Sequence, residues 1–255
     1  MQTYEIIPVN VGEFTAFEKS MFVYRKDYGV KLHAPFIMYL IRNKDMCVVV
    51  DTGCSDSEWS MRHHGYSVIR QDHQMPAQAI KRLGINAEDV KFVVNTHLHW
   101  DHCFNNEQFP NAKIYVQKRE LQYAICPLPQ HYSHYESLQV GLTPPWIKAL
   151  TRIQPVEGDC ELLPGIDLVL LPGHTPGFQG VLVNTDQGKY LIAGDCIALL
   201  ECWDSSGNHQ HSISGIYNNL EEYCASLAKI EQLNVADRIL PGHDMKVFEH
   251  QVYPY

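Results

Sequence analysis

The sequence predicts a layered α/β protein, and three observations carry that reading. Short apolar runs of strand length alternate with helix-length amphipathic segments along the whole 255-residue chain. No linker, low-complexity tract or short repeat interrupts them. The residue clusters richest in chemistry all fall directly behind a strand. Two halves, about 1–150 and 151–255, share this grammar, so one domain over 1–255 is expected instead of two in series.

The elements follow in order. Apolar runs at 36–42 and 46–51 flank a turn at 43–45 and read as a hairpin. Residues 75–83 read as a helix closed by Gly84, a residue that tolerates the left-handed conformation. Strands are expected at 91–95 and 113–117, with a short helix at 119–125. The stretch 126–146 holds Pro127, Pro129, Pro144 and Pro145 and cannot be one regular element; a long surface loop or lid is expected. Strands at 167–171, 180–185 and 189–193 follow, with a turn at 186–188. In a helix over 220–233, capped by Asn218 or Asn219, Leu220, Tyr223, Leu227, Ile230 and Leu233 share one face. The last strand is 237–240.

Composition narrows the class. Hydrophobic residues at 45% and charged residues at 19% leave ample material for a large core. A net charge of -9 offers no footprint for gripping a phosphate backbone, so no nucleic-acid partner is expected. The start at Met1 shows no basic segment leading into an apolar one, and no run approaches the roughly 18 apolar residues of a membrane span. No membrane association and a cytoplasmic location are expected. The eight cysteines are scattered without a Cys-x-x-Cys pair, so they read as small buried hydrophobes in a reducing compartment, not as a disulfide or zinc-ribbon framework. Nothing in the chain argues against a homo-oligomer.

The chemistry concentrates in His97-Leu98-His99-Trp100-Asp101-His102, four candidate ligands in six residues. His97, His99 and Asp101 alternate and can project to one side of an extended or gently turning loop, while His102 points elsewhere and can serve a second ion. Imidazole and carboxylate together suit zinc, iron or manganese, with zinc the usual occupant. Three more signals sit at strand ends: His174 after Pro172-Gly173, Asp195 after Gly194, and His243 after Pro241-Gly242. In each case a glycine precedes the candidate ligand, which lets the backbone turn sharply.

Through these residues, in this order, the chain resembles the metallo-β-lactamase superfamily of binuclear hydrolases, from Asp51-Thr52-Gly53 to His243. The resemblance implies an αββα sandwich of two mixed sheets flanked by helices. It implies one metal on His97, His99 and His174, a second on Asp101, His102 and His243, and Asp195 bridging them. Asp51 then orients ligands without binding metal, which suits the need of a metal-bound histidine to have its other nitrogen fixed. Cys196 and Cys103 adjoin ligands and are expected only to pack. Two divalent ions about 3.5–4 Å apart bring a bridging water near neutral pKa and polarise a carbonyl, so no serine or cysteine nucleophile is required. Consistently, the sequence has no Gly-x-Ser-x-Gly elbow and no P-loop. Asp195 or Asp101 then carries the proton to the leaving oxygen.

Within the superfamily the chain is most similar to the quorum-quenching N-acyl homoserine lactonases, through Asp51 to Asp56, Asp72-His73-Gln74-Met75, Asn95 to His102, Asn105-Asn106, Phe109 to Ala112 and Ile239 to Asp244. A small-molecule lactone or related ester is the implied substrate. One position departs: the tyrosine usual three residues after the bridging aspartate is Ala198 here. Either another donor serves, with Tyr217, Trp203, His209 and His211 as candidates, or the substrate differs. His63 and His64 line a pocket mouth or lie exposed on a loop. Tyr123, His131, Tyr132, Tyr135 and Trp146 form an acyl-binding wall or pack beneath a lid. Rival chemistries of the same superfamily are a class II glyoxalase-type thioesterase, an iron-dependent persulfide dioxygenase, a diiron flavin-linked reductase and an RNA-processing nuclease. His99 argues against the diiron type, the second ligand set against the dioxygenase, and the acidic balance against the nuclease.

Overall fold

Two long strands, β1 (Glu5–Glu18) and β2 (Lys31–Arg42), form the antiparallel pair on which the first sheet is built. They are seen in a computed structural model that describes residues 2–204, 206–208 and 210–255. The expected hairpin follows, with β3 (Cys47–Val50) antiparallel to β2 and Tyr39 opposite Val50. The chain then passes through α1 (Ser57–His64), β4 (Val68–Ile69) and α2 (Pro76–Lys81). It continues through β5 (Phe92–Val94), α3 (Trp100–Cys103), β6 (Lys113–Gln117), α4 (Lys118–Ile125) and β7 (Ile153–Val156). The strand order is β4-β1-β2-β3-β5-β6-β7, parallel from β3 onward to β7.

The second sheet comes from the rest of the chain: β8 (Cys160–Leu163), β9 (Ile166–Leu170), β10 (Gln179–Thr185), β11 (Gly188–Gly194) and, after α5 (Leu220–Gln232), β12 (Ile239–Pro241). Its order is β12-β11-β10-β9-β8, antiparallel except for β11 with β12.

Because successive strand residues face opposite ways, each buried strand supplies two cores. Ile37, Tyr39 and Ile41 of β2 and Val48 and Val50 of β3 meet Ile166, Leu168, Val181, Val183 and Ile192 of the other sheet. The residues between them, such as Met38, Leu40, Val49, Val169, Leu182 and Leu191, share a second core with Ile80 of α2, Ala124 of α4 and Tyr223, Leu227 and Ile230 of α5. The result is two mixed sheets flanked by helices. One buried polar bond ties the layers directly: the Tyr39 hydroxyl donates to the Pro241 carbonyl at 2.6 Å.

Several expectations change in detail. The helix predicted at 220–233 is α5, capped by the Asn219 side chain, which accepts from Glu222 N at 3.1 Å. Leu220, expected on its buried face, is the first residue of the helix and is 44% exposed. Residues 126–146 contain no strand or α-helix, as expected, yet they are not merely superficial: Tyr135, Glu136, Ser137 and Trp146 are buried. Six elements went unpredicted, β1, α1, β4, α3, β7 and β8, and none carries a sustained periodic signal. β1 is broken by register shifts between Asn10 and Glu13 and between Phe14 and Phe17. β7 carries Pro155 and, like β8, lies at a sheet edge. α1 buries only Ser60 along its length and rests on its caps instead: Asp56 accepts from Trp59 N at 2.8 Å, and Gly65 closes the helix at φ 71°.

The Tyr39 bond gives a direct test of the interlayer seam. Tyr39→Phe leaves the Pro241 carbonyl buried without its donor and should cost about 1–3 kcal/mol. Differential scanning calorimetry should then show Tm lowered by several degrees, about 2–4 °C per kcal/mol for a chain of this size.

Candidate metal centre

Strand direction alone gathers the site. β3 and β5 run parallel, so Asp51 and the segment 95–103 leave the first sheet at the same edge. β9, β11 and β12 all run one way, since β10 is antiparallel to both β9 and β11 and β12 is parallel to β11. His174, Asp195 and His243 therefore emerge at one edge of the second sheet. The two edges face each other, and all seven sequence-predicted ligands converge. His97, His99 and His174 offer donor atoms within 4.8 Å of one another, as do Asp101, His102 and His243, and as do His97, His102 and Asp195.

Asp195 stands between the first two sets. Its Oδ2 lies 3.4 Å from His174 Nε2, while its Oδ1 lies 3.1 Å from His243 Nε2 and 3.3 Å from His102 Nε2. Asp101 Oδ2 lies 3.8 Å from His102 Nε2 and 3.9 Å from His243 Nε2.

The imidazoles are fixed from behind. His174 Nδ1 donates to the Ile216 carbonyl at 2.8 Å and His243 Nδ1 to the Pro35 carbonyl at 2.9 Å. His102 Nδ1 donates to Asp51 Oδ2 at 2.8 Å. Thr96 Oγ1 also donates to Asp51 Oδ2, at 2.7 Å, so its oxygen is left to accept from His97 Nδ1 at 3.0 Å. Each of these four rings thus carries its proton on Nδ1 and turns the Nε2 lone pair inward. The Nε2 atoms of His97, His99, His102, His174 and His243 and Oδ1 of Asp195 are buried and have no hydrogen-bond partner. Six buried polar atoms aimed at one point are what a divalent cation satisfies, so the residues fit such a metal.

Electrostatics agree with that fit. Burial, reinforced by neighbouring imidazoles, pushes His97 and His99 well below the ordinary histidine range, and burial lowers His174 as well. These rings stay neutral and able to coordinate. Burial pushes Asp195 up, but His243 and His102 outweigh it and hold the carboxyl well below its usual range.

Two buried carboxylates organise the surroundings. Asp51, held at φ 59°, uses Oδ1 for Thr96 N at 2.8 Å and Oδ2 for His102 and Thr96. Glu120 accepts from Leu98 N at 3.0 Å, from Gly177 N at 3.1 Å and from the Tyr135 hydroxyl at 2.8 Å. It thereby joins the loops carrying His97, His99 and His174 to the 126–146 segment. Burial nevertheless raises its pKa, against the opposing pull of these bonds. Asn106, Asn95 and Thr52 interlock behind the motif, with Asn106 Nδ2 donating to Asn95 Oδ1 at 2.8 Å and Thr52 Oγ1 to Asn106 Oδ1 at 3.0 Å.

The glycines before the ligands serve two different needs. Gly173 sits at φ 139° with the Tyr223 backbone where a Cβ would go. Gly242 has no such dihedral; a Cβ there would strike Asp195 Oδ1.

Above the donors lies a small, partly open cavity of about 20 Å³ lined by Phe14, Phe17, Phe22, Tyr66, Trp100 and Ile216, with His99, Asp101, Asp195 and His134. The predicted aromatic set does not line it. Tyr135 is fully buried against Glu120, Tyr123 bonds His131 Nδ1 at 2.7 Å, and Trp146 is buried, so these residues pack beneath the lid. None of Tyr217, Trp203 and His211, expected to stand in for a tyrosine at Ala198, lines this cavity. Tyr217 stands edge-on to Tyr24, Trp203 stacks on His211 at 3.8 Å, and His211 bonds Glu231 at 2.8 Å. His209 lies outside the described residues. His64 is neither exposed nor on a loop: from α1 it stacks on Trp100 at 4.1 Å and bonds Glu136 Oε1 at 2.9 Å, while His63 packs on Trp59. Burial raises the thiols of Cys103 and Cys196, and neither joins a ligand group. The cavity walls from β1 and the turn after it escaped sequence reasoning; the spacing of Phe14, Phe17 and Phe22 was the available signal.

Two facing mixed sheets with a histidine and aspartate cluster at their shared edge define the class. The family model "Metallo-beta-lactamase superfamily" matches residues 38–243, and the chain belongs to that superfamily. Its relatives include the N-acyl homoserine lactonase of a Bacillus species, 25% identical over 86% of this chain and 84% of the relative. The N-acyl homoserine lactonase AttM of Agrobacterium fabrum is 33% identical over 69% of this chain and 70% of the relative. Among solved structures, an N-acyl homoserine lactone hydrolase with the product N-hexanoyl-L-homoserine bound at its catalytic metal centre superposes with a TM-score of 0.78. It is 22% identical, and the match covers 100% of this chain and 99% of that one. The dizinc quorum-quenching lactonase AidC is 17% identical with a TM-score of 0.69, over 96% of this chain and 90% of that one.

Two substitutions test the supporting geometry without touching a histidine. Asp51→Asn keeps the shape but weakens the hold on His102 and should cost about 10–100-fold in metal affinity, measured by competition with a chromophoric chelator. Gly242→Ala should displace Asp195 and lower the metal bound per chain, read by plasma emission spectrometry, with the far-UV circular dichroism unchanged.

Proposed function

We propose that the protein is a binuclear metal-dependent hydrolase that opens lactones, with N-acyl homoserine lactones as the substrate class. The observation that carries this reading is the convergence of five inward-facing Nε2 atoms and two carboxylates on one point beneath an apolar cavity. The lactonase relatives support the choice of substrate. His97, His99 and His174 would hold one ion and Asp101, His102 and His243 the other, with Asp195 shared. Zinc suits this mixed nitrogen and oxygen set, and iron or manganese fits the same donors. When bound, the divalent pair supplies a Lewis acid for the substrate carbonyl and a water that ionises near neutral pH.

The chain's own residues do the rest. The backs of the rings, anchored at Ile216, Pro35, Asp51 and Thr96, keep the donors from swinging as charge develops. The aromatic walls exclude bulk water from the reacting ester. Ring opening leaves an alkoxide that must gain a proton. Asp101 and Asp195, the carboxylates that line the cavity, are the groups that hold and pass it. Among the described residues no helix is long and apolar enough to cross a membrane, and the free thiols suit the reducing cytoplasm in which we place the protein.

A substrate panel tests the reading. Purified protein reconstituted with zinc, manganese or iron is assayed on N-acyl homoserine lactones, other lactones, simple esters, thioesters and a β-lactam. Lactone opening, followed by proton release, should dominate. His99→Ala should lower kcat/KM on the order of 100-fold or more and remove a metal equivalent while the protein stays folded. One iron per chain together with no lactone opening would overturn the proposal.

A further inference from the structure

The cavity over the donors is apolar on most of its wall, and His134 interrupts it. This residue belongs to the 126–146 segment, and its Nδ1 is buried with no hydrogen-bond partner. Outside the seven ligand residues, the other buried side-chain atoms without a partner belong to Glu136, Trp146, Thr175, Trp203 and Glu222, and none of these lines the cavity. A buried polar atom left unpaired costs about 1–3 kcal/mol, a cost a folded site keeps where a ligand offsets it.

The placement of His134 is fixed, not accidental. Its carbonyl accepts from Trp100 N at 2.8 Å, which ties it to the His97–His102 motif itself. Its ring lies 5.1 Å from that of His99, tilted by 31°. It is nevertheless absent from all three groups whose donor atoms lie within 4.8 Å of one another, so it stands beside the metal donors without joining them. The ester group of a lactone or open ester offers only acceptor oxygens, and a carboxylate cannot donate to them. A neutral imidazole carrying its proton on Nδ1 can.

We propose that His134 is a substrate-binding residue, donating from Nδ1 to a carbonyl oxygen of the bound ester and so orienting it over His99 and Asp101. The assignment rests on the hydrolase reading above. It places the polar contact to substrate on the lid segment, since Ala198 offers no side-chain donor.

The test compares His134→Phe, which keeps an aromatic wall but no nitrogen, with His134→Asn, whose amide can place an N–H near the Nδ1 position. Steady-state kinetics are run on whichever ester of the panel the wild type cleaves best, with metal content and Tm measured in parallel. Calorimetry with N-hexanoyl-L-homoserine gives an affinity that does not depend on turnover. His134→Phe should lower kcat/KM about tenfold or more, chiefly through KM, and weaken the product by a similar factor, with metal content and Tm unchanged. His134→Asn should recover most of that loss. Unchanged kcat/KM in His134→Phe overturns the proposal, as does metal loss, which would make the ring part of the metal's support. Equal impairment in both variants with metal intact also overturns it, by assigning the effect to packing. If the wild type opens no lactone but cleaves another ester, the lactonase reading fails while the comparison on that ester still decides the role of His134.

Discussion

Everything in this molecule answers to the cost of burying five imidazole faces and two carboxylates at one point. Unpaired, such atoms would each oppose folding by a kilocalorie or more, and only a cation shared among them turns that cost into binding energy. The protein therefore cannot let the rings choose their own orientation. It fixes four of the five, those of His97, His102, His174 and His243, from behind at Nδ1, with acceptors from four separate places in the chain: Thr96, Asp51, Ile216 and Pro35. Two of those acceptors are backbone carbonyls, which no side-chain substitution can remove. The sheets supply the remaining rigidity, because parallel strand ends deliver Asp51, His97, His174, Asp195 and His243 to one line without long connecting loops.

Two buried carboxylates that do not belong to the ligand sets divide the supporting work. Asp51 acts within the first sheet, coupling His102 to His97 through Thr96. Glu120 acts between the sheets, taking a backbone N–H from each side of the cluster and the Tyr135 hydroxyl from the lid. A third, Glu136, anchors the lid from its other flank, accepting from Trp59 Nε1 at 2.7 Å and pairing with His64, whose ring lies flat on Trp100. The segment 126–146 is irregular because its prolines forbid a ladder, yet it is held near its middle, at Tyr135 and Glu136, through the buried carboxyl groups of Glu120 and Glu136. That explains how a stretch without secondary structure can present His134 in a defined position.

The metal side of the site was legible in the sequence because its signals are local. Four ligands within six residues, and Gly-His or Gly-Asp directly behind apolar runs, carry their meaning without knowledge of the fold, and all seven residues converge. The sheets were legible wherever burial on both faces left continuous apolar runs, as in β2, β3, β10 and β11. What stayed hidden is non-local or non-periodic. α1 has caps but no apolar stripe, and β1 loses its alternation at two register shifts. His64 looks like a surface residue until Glu136, 72 positions away, is seen beside it. The reason for Gly242 is a carboxylate 47 positions earlier in the chain, at Asp195, and not the turn that the sequence suggested.

The same division separates chemistry from specificity. The donors come from strand ends, where a shift of one residue would turn the side chain to the other face of the sheet and lose it altogether. The cavity walls come from elsewhere: Phe14 and Phe17 from the bulged end of β1, Phe22 from the turn after it, Tyr66 from beyond α1, His134 from the lid and Ile216 from the approach to α5. No strand ladder fixes most of these positions, so they can change residue by residue while the metal side stays intact. Solved structures at 17% and 22% identity share the fold over nearly the whole chain. Ala198 fits the same logic. The helical turn that carries it must still present Asp195 and offer its carbonyl to His243 N at 2.8 Å, but nothing in that backbone requires the side chain to reach the substrate. A donor lost from one wall can be supplied by another, provided that the other wall is held as firmly as the lid is by Glu120 and Glu136.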